Sequence, residues 1–236
     1  MRILVPVKQV AGWDDFALEA AQQLLEASGE GEVVVVSVGE AAVEEGLRTC
    51  LARGADRAIR VWEEALERAD ALAVARVLAA VARREQPELI LCGAQSSDGA
   101  SGATGAALAG LLEWSRVAVV EGIECDGEEL MVRRELEGGA IEVLRLSLPA
   151  LLTIQTGINR PRQANLRAIK LARSEPLEVL TPAELDLSST EVSAGAGSRI
   201  LRLLEPERSE RAEMLEGSPA EIAKRILALT RRELGS

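Results

Sequence analysis

The chain has 236 residues, enough for one α/β domain with an appendage or for a large and a small domain around a substantial core. A formal charge of -11 disfavours nucleic acid, whose phosphates are bound by clustered Lys and Arg, and here only Lys8, Lys170 and Lys224 are lysines. With no His and no Tyr, independent acid–base catalysis is a poor expectation. No stretch of about 18 apolar residues occurs, and Met1-Arg2 opens directly into a strand-like run. Direct membrane insertion is therefore not expected, and the cytoplasm is the expected compartment. Cys50, Cys92 and Cys125 are odd in number, far apart and unaccompanied by His. They read as reduced, mostly buried small hydrophobes, with neither a disulfide framework nor a metal site.

In chain order, Ile3 to Val7, Val33 to Val38, Ala58 to Val61 and Glu88 to Cys92 are Val-, Ile- and Leu-rich runs of strand length. Between them, Phe16 to Ala27, Ala41 to Arg53 and Ala65 to Arg84 have helical spacing, clearest where Val74, Val77, Leu78 and Val81 repeat at i, i+3, i+4 and i+7. This alternation predicts an α/β fold, a Rossmann-like parallel sheet with helices on both faces that binds ligands beyond the carboxyl ends of its strands. From Val117 the pattern changes: Val117 to Glu124, Leu130 to Leu136 and Ile141 to Leu148 are separated by Asp126-Gly127 and Gly138-Gly139, the signature of antiparallel hairpins. Leu151 to Ile154 reads as a buried strand and Gln163 to Ala172 as a helix. Beyond Pro176, a weakly ordered stretch suggests an extended C-terminal arm. Ser218-Pro219-Ala220-Glu221 then forms a capping box that opens a terminal helix. The expected organisation is a nucleotide-binding α/β domain over 1–176 and an arm plus helix over 177–236.

The strand ends direct attention to Lys8 to Phe16, to Val38 to Glu40, and above all to the loop Gly93-Ala94-Gln95-Ser96-Ser97-Asp98-Gly99-Ala100-Ser101-Gly102-Ala103-Thr104-Gly105, which leads into a helical run. Small residues admit a ligand close to the backbone, and free N–H groups at a helix start attract phosphate. Ser101 and Thr104 add hydroxyls, and Gln95 reads as a partner for a ribose hydroxyl or base edge. The loop matches neither the Walker pattern nor the dinucleotide fingerprint, so a plain surface loop is the competing reading. Asp98 is awkward beside phosphate unless a counter-ion intervenes, and otherwise orients the loop by bonding its backbone.

The chain resembles the β subunits of electron transfer flavoproteins. The most specific stretch, Val132 to Thr153, presents Arg134, Glu137-Gly138-Gly139, Glu142, Leu144, Pro149 and Leu151-Leu152-Thr153 in the order and spacing of the family's signature. Ile3 to Lys8, Gly54-Ala55-Asp56, Gly93 to Gly105 and Asn159-Arg160-Pro161-Arg162 agree as well. The resemblance implies an adenine nucleotide alpha hydrolase-like fold and a heterodimer with an α subunit that carries the redox-active FAD. It further implies a structural AMP in the β subunit, electrons received from dehydrogenases such as acyl-CoA dehydrogenases, and delivery to a membrane quinone oxidoreductase, without catalysis by this chain itself.

By position, the resemblance places the AMP site at Pro6, Asp14, Asp15, Phe16, Ala17, Val38 and the loop from Gly93 to Gly105, including Gln95, Asp98, Gly99, Ala100, Ser101, Gly102, Ala103 and Thr104. It sets Trp13 near the partner's flavin, and reads Leu185, within a recognition loop near 182–190, as a protruding leucine that anchors a dehydrogenase. Asp14 stands where many members have Asn, and the excursion between the first strand and first helix is short. Electron-bifurcating relatives hold a second FAD in place of AMP, and relatives tied to nitrogen fixation or carnitine metabolism share the pattern; Thr104-Gly105 resembles the AMP type. A stand-alone ATP-binding enzyme or sensor is the reading of a different class, opposed by the lack of a Walker lysine.

Overall fold

The computed structural model describes residues 1–8, 12–67, 69–127, 129–188 and 214–233, together with Val192 and residues 201, 202, 204 and 205. The first half alternates as expected: β1 (Arg2–Pro6), α1 (Trp13–Ser28), β2 (Glu32–Val38), α2 (Glu44–Ala52), β3 (Arg57–Val61), α3 (Ala71–Glu85), β4 (Leu89–Gly93) and α4 (Ala103–Leu112). Then come β5 (Ser115–Asp126), β6 (Glu129–Glu135), β7 (Ile141–Ser147), β8 (Ala150–Ile154), α5 (Leu166–Ala172) and β9 (Glu178–Leu180).

These strands form one nine-stranded sheet in the order β7-β6-β5-β8-β4-β1-β2-β3-β9. Every pairing from β5 through β9 is parallel, and only β5–β6 and β6–β7 are antiparallel. Strand alternation sorts the core onto two faces. Ile3, Val5, Val33, Val35, Leu89 and Leu91 pack with α1 and α2, while Leu4, Val34, Val36, Ile59 and Ile90 pack with α3 and α4. Helices therefore cover both faces, which is why the central strands are apolar at nearly every position. Cys50 and Cys92 are buried in this core, whereas Cys125 is exposed.

Three boundaries differ from the sequence pattern, each for a local reason. The helix expected from Ala65 starts at Ala71, because the Asp70 carboxylate caps it by accepting the N–H groups of Leu72 and Ala73 at 3.1 and 2.9 Å. Glu64–Leu66 forms a separate 3-10 turn. The helix expected from Gln163 starts at Leu166, where the Asn165 side chain accepts the Ala168 N–H at 2.9 Å. The sheet also continues past Pro176, where an arm was expected. Glu178–Leu180 pairs with β3 and buries Leu180, and a capping box between Thr181 and Glu184 closes a 3-10 turn at Pro182–Leu185.

The chain divides into two compact units, Met1–Arg199 and Ile200–Ser236. Within the second, α6 (Pro219–Glu233) is the expected terminal helix. The N–H and hydroxyl of Ser218 both donate to Glu221 Oε2, at 2.8 and 2.6 Å.

Around the amino ends of the strands, Arg57 joins three carboxylates: Glu85 at 2.8 Å, Glu178 at 3.2 Å and Glu32 at 3.4 Å. Glu85 is almost fully buried, so removing its partner leaves a desolvated charge. Arg57→Met is expected to lower the unfolding free energy by about 1–3 kcal/mol, with Glu85→Gln in the same background recovering part of the loss. Urea denaturation of the two variants checks this.

Candidate functional site

The sheet order places β2 and β3 on one side of β1 and β4 on the other. Chain connections leave β1 and β4 in opposite directions there, which opens a crevice at their carboxyl ends, the usual ligand position of such sheets. A cleft of about 540 Å³ occupies it, within the range of small-molecule sites, roughly 300–1,000 Å³. A larger hollow, about 820 Å³, lies near Met1 and Glu88, against β5 and the end of α1. It sits away from the strand carboxyl ends, and no helix begins at it, so the crevice is the stronger candidate.

Two loops wall the crevice. After β1, Lys8 and Asp14 line it; after β4, the wall runs through Gly93, Ala94, Gln95, Ser96, Gly99 and 101–105. The Asp14 carboxylate joins the two loops, accepting the N–H of Lys8 at 2.7 Å and a backbone hydrogen bond from Gly93. Packing here is tight: a Cβ on Gly93 would collide with that carboxylate and lie 2.7 Å from Trp13 Cβ. Glycine is thus required at the strand end by close approach.

Asp98 answers the electrostatic question its position raised. Lys8 Nζ donates to both its carboxylate oxygens, at 2.9 and 2.7 Å, and Asp98 also accepts the Gly99 N–H at 2.8 Å. The hydrogen bond from Lys8, then one from the Ser96 side chain, with the Lys8 charge adding to them, hold its pKa down at about 2. Asp98 therefore has both a counter-ion and a role in shaping the loop. Past it, Ala100 and Gly102 adopt left-handed conformations, at φ 47° and 59°, and α4 begins without a side-chain cap. The first N–H groups of α4, from Ala103 to Gly105, have no intrahelical acceptor and suit an anion. Gly105 lets α4 lie against β8, since a Cβ there would come within 2.7 Å of Thr153 Cγ2.

The structure brings Pro6, Asp14, Val38, Gly93, Gln95, Gly99, Ser101, Gly102, Ala103, Thr104 and Gly105 together around the crevice. Other expected residues serve different ends. Asp15 pairs with Arg53 at 2.6 Å, and Ala17 is fully buried in the core. Phe16 packs on the core, its carbonyl accepting the Asn159 side-chain N–H at 2.9 Å. Asp98 and Ala100 shape the loop without lining the cleft. Trp13 is held by its indole N–H on Gln155 Oε1 at 3.2 Å, at the end of β8. Leu185 corrects an expectation: it is 8% exposed within the core facing α3 and does not protrude. The most exposed leucine of this region, among the described residues, is Leu166 at the start of α5, 86% accessible and followed by exposed Ile169 and Leu171.

Sequence reasoning missed the apolar wall formed by Trp62, Leu66, Ala71, Val74 and Leu78, and it placed Lys8 among the strand-end residues without giving it a role. The signal for part of that wall was present, since Ala71, Val74 and Leu78 fall at i, i+3 and i+7 on one face of α3. Among the described residues no cluster of three or more potential metal ligands occurs, and no helix is long and apolar enough to cross a membrane.

Asp14 also makes the site pH-sensitive. Burial raises its pKa from 3.8 to about 6, the backbone hydrogen bonds from Lys8 and Gly93 opposing the rise and the nearby Asp15 charge adding to it. The folded chain thus keeps a proton that the unfolded chain releases near pH 4, so this contribution to stability is complete below about pH 4 and lost as pH rises through 6. Asp14→Asn has no such proton to lose. Between pH 4 and 7 the unfolding free energy of the variant is expected to gain on that of the wild type by on the order of 2 kcal/mol, as measured by urea denaturation across a pH series. Equal slopes for the two proteins would contradict the burial assigned to Asp14.

A family model described as the electron transfer flavoprotein domain matches residues 6–185, from the end of β1 to the turn after β9. Electron transfer flavoprotein subunit beta from Methylophilus methylotrophus is 45% identical over 221 residues, covering 92% of this chain and 83% of the relative. The subunit of the same name from Bradyrhizobium diazoefficiens is 36% identical over 231 residues, with 87% and 90% covered. The one from Homo sapiens is 40% identical over 178 residues, with 75% and 69% covered. With the family match spanning every strand from β2 to β9 and both walls of the crevice, the chain belongs to the electron transfer flavoprotein beta-subunit family.

Proposed function

We propose that this chain is the nucleotide-holding half of a heterodimeric electron carrier in the cytoplasm, binding AMP as a structural cofactor in the β1–β4 crevice. One observation carries this reading: the small-residue loop 93–105 meets Pro6, Asp14 and Val38 around a cleft with an uncapped helix start at one side and apolar residues at the other. The phosphate would take the N–H groups at the start of α4 and the Ser101 and Thr104 hydroxyls. The purine would lie toward Val38, Trp62 and Val74, and Gln95 would serve the ribose or base edge. AMP contributes no redox chemistry; bound there, it ties the two loops into one rigid wall.

The electrons travel through FAD on an α subunit, beside which this chain supplies scaffold and surface. Trp13, fixed by Gln155, would shield the flavin from water. Donors are dehydrogenases, including acyl-CoA dehydrogenases, and the acceptor is an electron transfer flavoprotein–quinone oxidoreductase. Leu166, rather than Leu185, is the side chain exposed enough to anchor a dehydrogenase.

Two experiments test this. Nucleotide released from the purified chain by unfolding should be AMP; FAD alone, or none, would overturn the AMP assignment, FAD in favour of a bifurcating type. Leu166→Ala should slow reduction of the assembled carrier by a dehydrogenase about tenfold at limiting carrier concentration, while Leu185→Ala destabilises the fold without a specific effect on docking. Unchanged reduction kinetics with Leu166→Ala would sink the anchor.

A further inference from the structure

The crevice has an unusual charge balance for a site that takes a phosphate. Four acids line it, Asp14, Glu40, Glu67 and Asp70, and among the described residues Lys8 is the one cation that does. Asp70 is committed to capping α3. Helix-start N–H groups carry only partial charge, so a phosphate dianion in this lining meets net repulsion unless a full positive charge stands close to it.

Lys8 is built for that role at both ends. Its main chain is fixed, because its N–H donates to Asp14 Oδ2 at 2.7 Å. Its ammonium reaches across from the β1 loop to the β4 loop and sits 2.7 and 2.9 Å from the two oxygens of Asp98. An ammonium has three donors, so two on Asp98 leave a third. The Lys8 and Asp98 side chains are 53% and 45% exposed, so their pairing alone adds little to stability and is a weak reason for a lysine here.

We infer that Lys8 is the phosphate-pairing residue of the nucleotide site, poised over the cleft by Asp14 and Asp98 and presenting its remaining donor to the ligand. The inference rests on the nucleotide reading and deepens it, by making the phosphate, rather than the base or ribose, the group that this side chain recognises. It also gives Asp98 a purpose in an anion site, which is to aim the lysine.

The test is calorimetric titration of the nucleotide-stripped full chain with AMP and, separately, with adenosine. In Lys8→Met the affinity for AMP should fall about 10- to 100-fold, the size of one charge-assisted hydrogen bond, while the affinity for adenosine changes less than about threefold. Lys8→Arg should keep AMP binding within several-fold of the wild type, by retaining the charge. Equal losses for AMP and adenosine would make Lys8 a general support of the loop, and no loss for AMP would remove it from the site. Either result overturns the inference while leaving AMP binding by the wild type intact. A wild-type chain that binds neither compound refutes the nucleotide reading itself, and the inference with it.

Discussion

One half-buried carboxylate, Asp14, holds the two sides of the crevice together. Strand order forces the chain to leave β1 and β4 in opposite directions, and a gap at that point is unavoidable. Asp14 spans the gap by accepting N–H groups from the loops on both sides, and Gly93 gives up its side chain to make room. The cost is a carboxylate held in a place that disfavours its charge, which pushes its pKa up to about 6. Relatives with Asn at this position would avoid the charge but would accept through a single oxygen.

The segments that carry the family resemblance act mostly at one remove from the crevice. Arg134 and Glu142 face each other directly across β6 and β7 and pair at 2.6 Å, with Glu137-Gly138-Gly139 making the turn between the strands. Thr153 stands behind Gly105, and its hydroxyl accepts the Val119 N–H at 3.0 Å, so β8 sets how closely α4 approaches the sheet and where its start points. Asn159 and Arg162 fasten the stretch after β8 onto α1, through the Phe16 carbonyl and through Glu19 and Glu26. Glu19 is nearly buried, and the Arg162 guanidinium beside it outweighs that burial and lowers its pKa. The signature is thus mainly a frame that aims the loop 93–105 and the start of α4.

The alternation of strands and helices, the hairpins and the loop 93–105 were legible in the residues, because each depends on local periodicity or turn chemistry. The strand order was not, since it depends on how strands meet across the sheet. That order decides which of Asp14, Asp15, Phe16 and Ala17 line the crevice: four consecutive residues at the start of a helix point in different directions, and of these Asp14 alone lines it. Leu185 misled for a similar reason. A leucine after Pro182 reads as part of a loose arm, but β9 pairs with β3 and draws it into the core, while Leu166 stands free on α5. Lys8 stood among the strand-end residues but drew no role of its own, because a lone lysine after a strand carries no pattern; its partner lies 90 residues away.

Amide hydrogen exchange of the full chain with and without saturating AMP tests the placement of the nucleotide most directly. Slower exchange concentrated at Lys8 and across 93–105, with the hollow near Met1 and Glu88 unchanged, is the expected result. Protection at that hollow, or no protection at either loop, would contradict a nucleotide held between the carboxyl ends of β1 and β4.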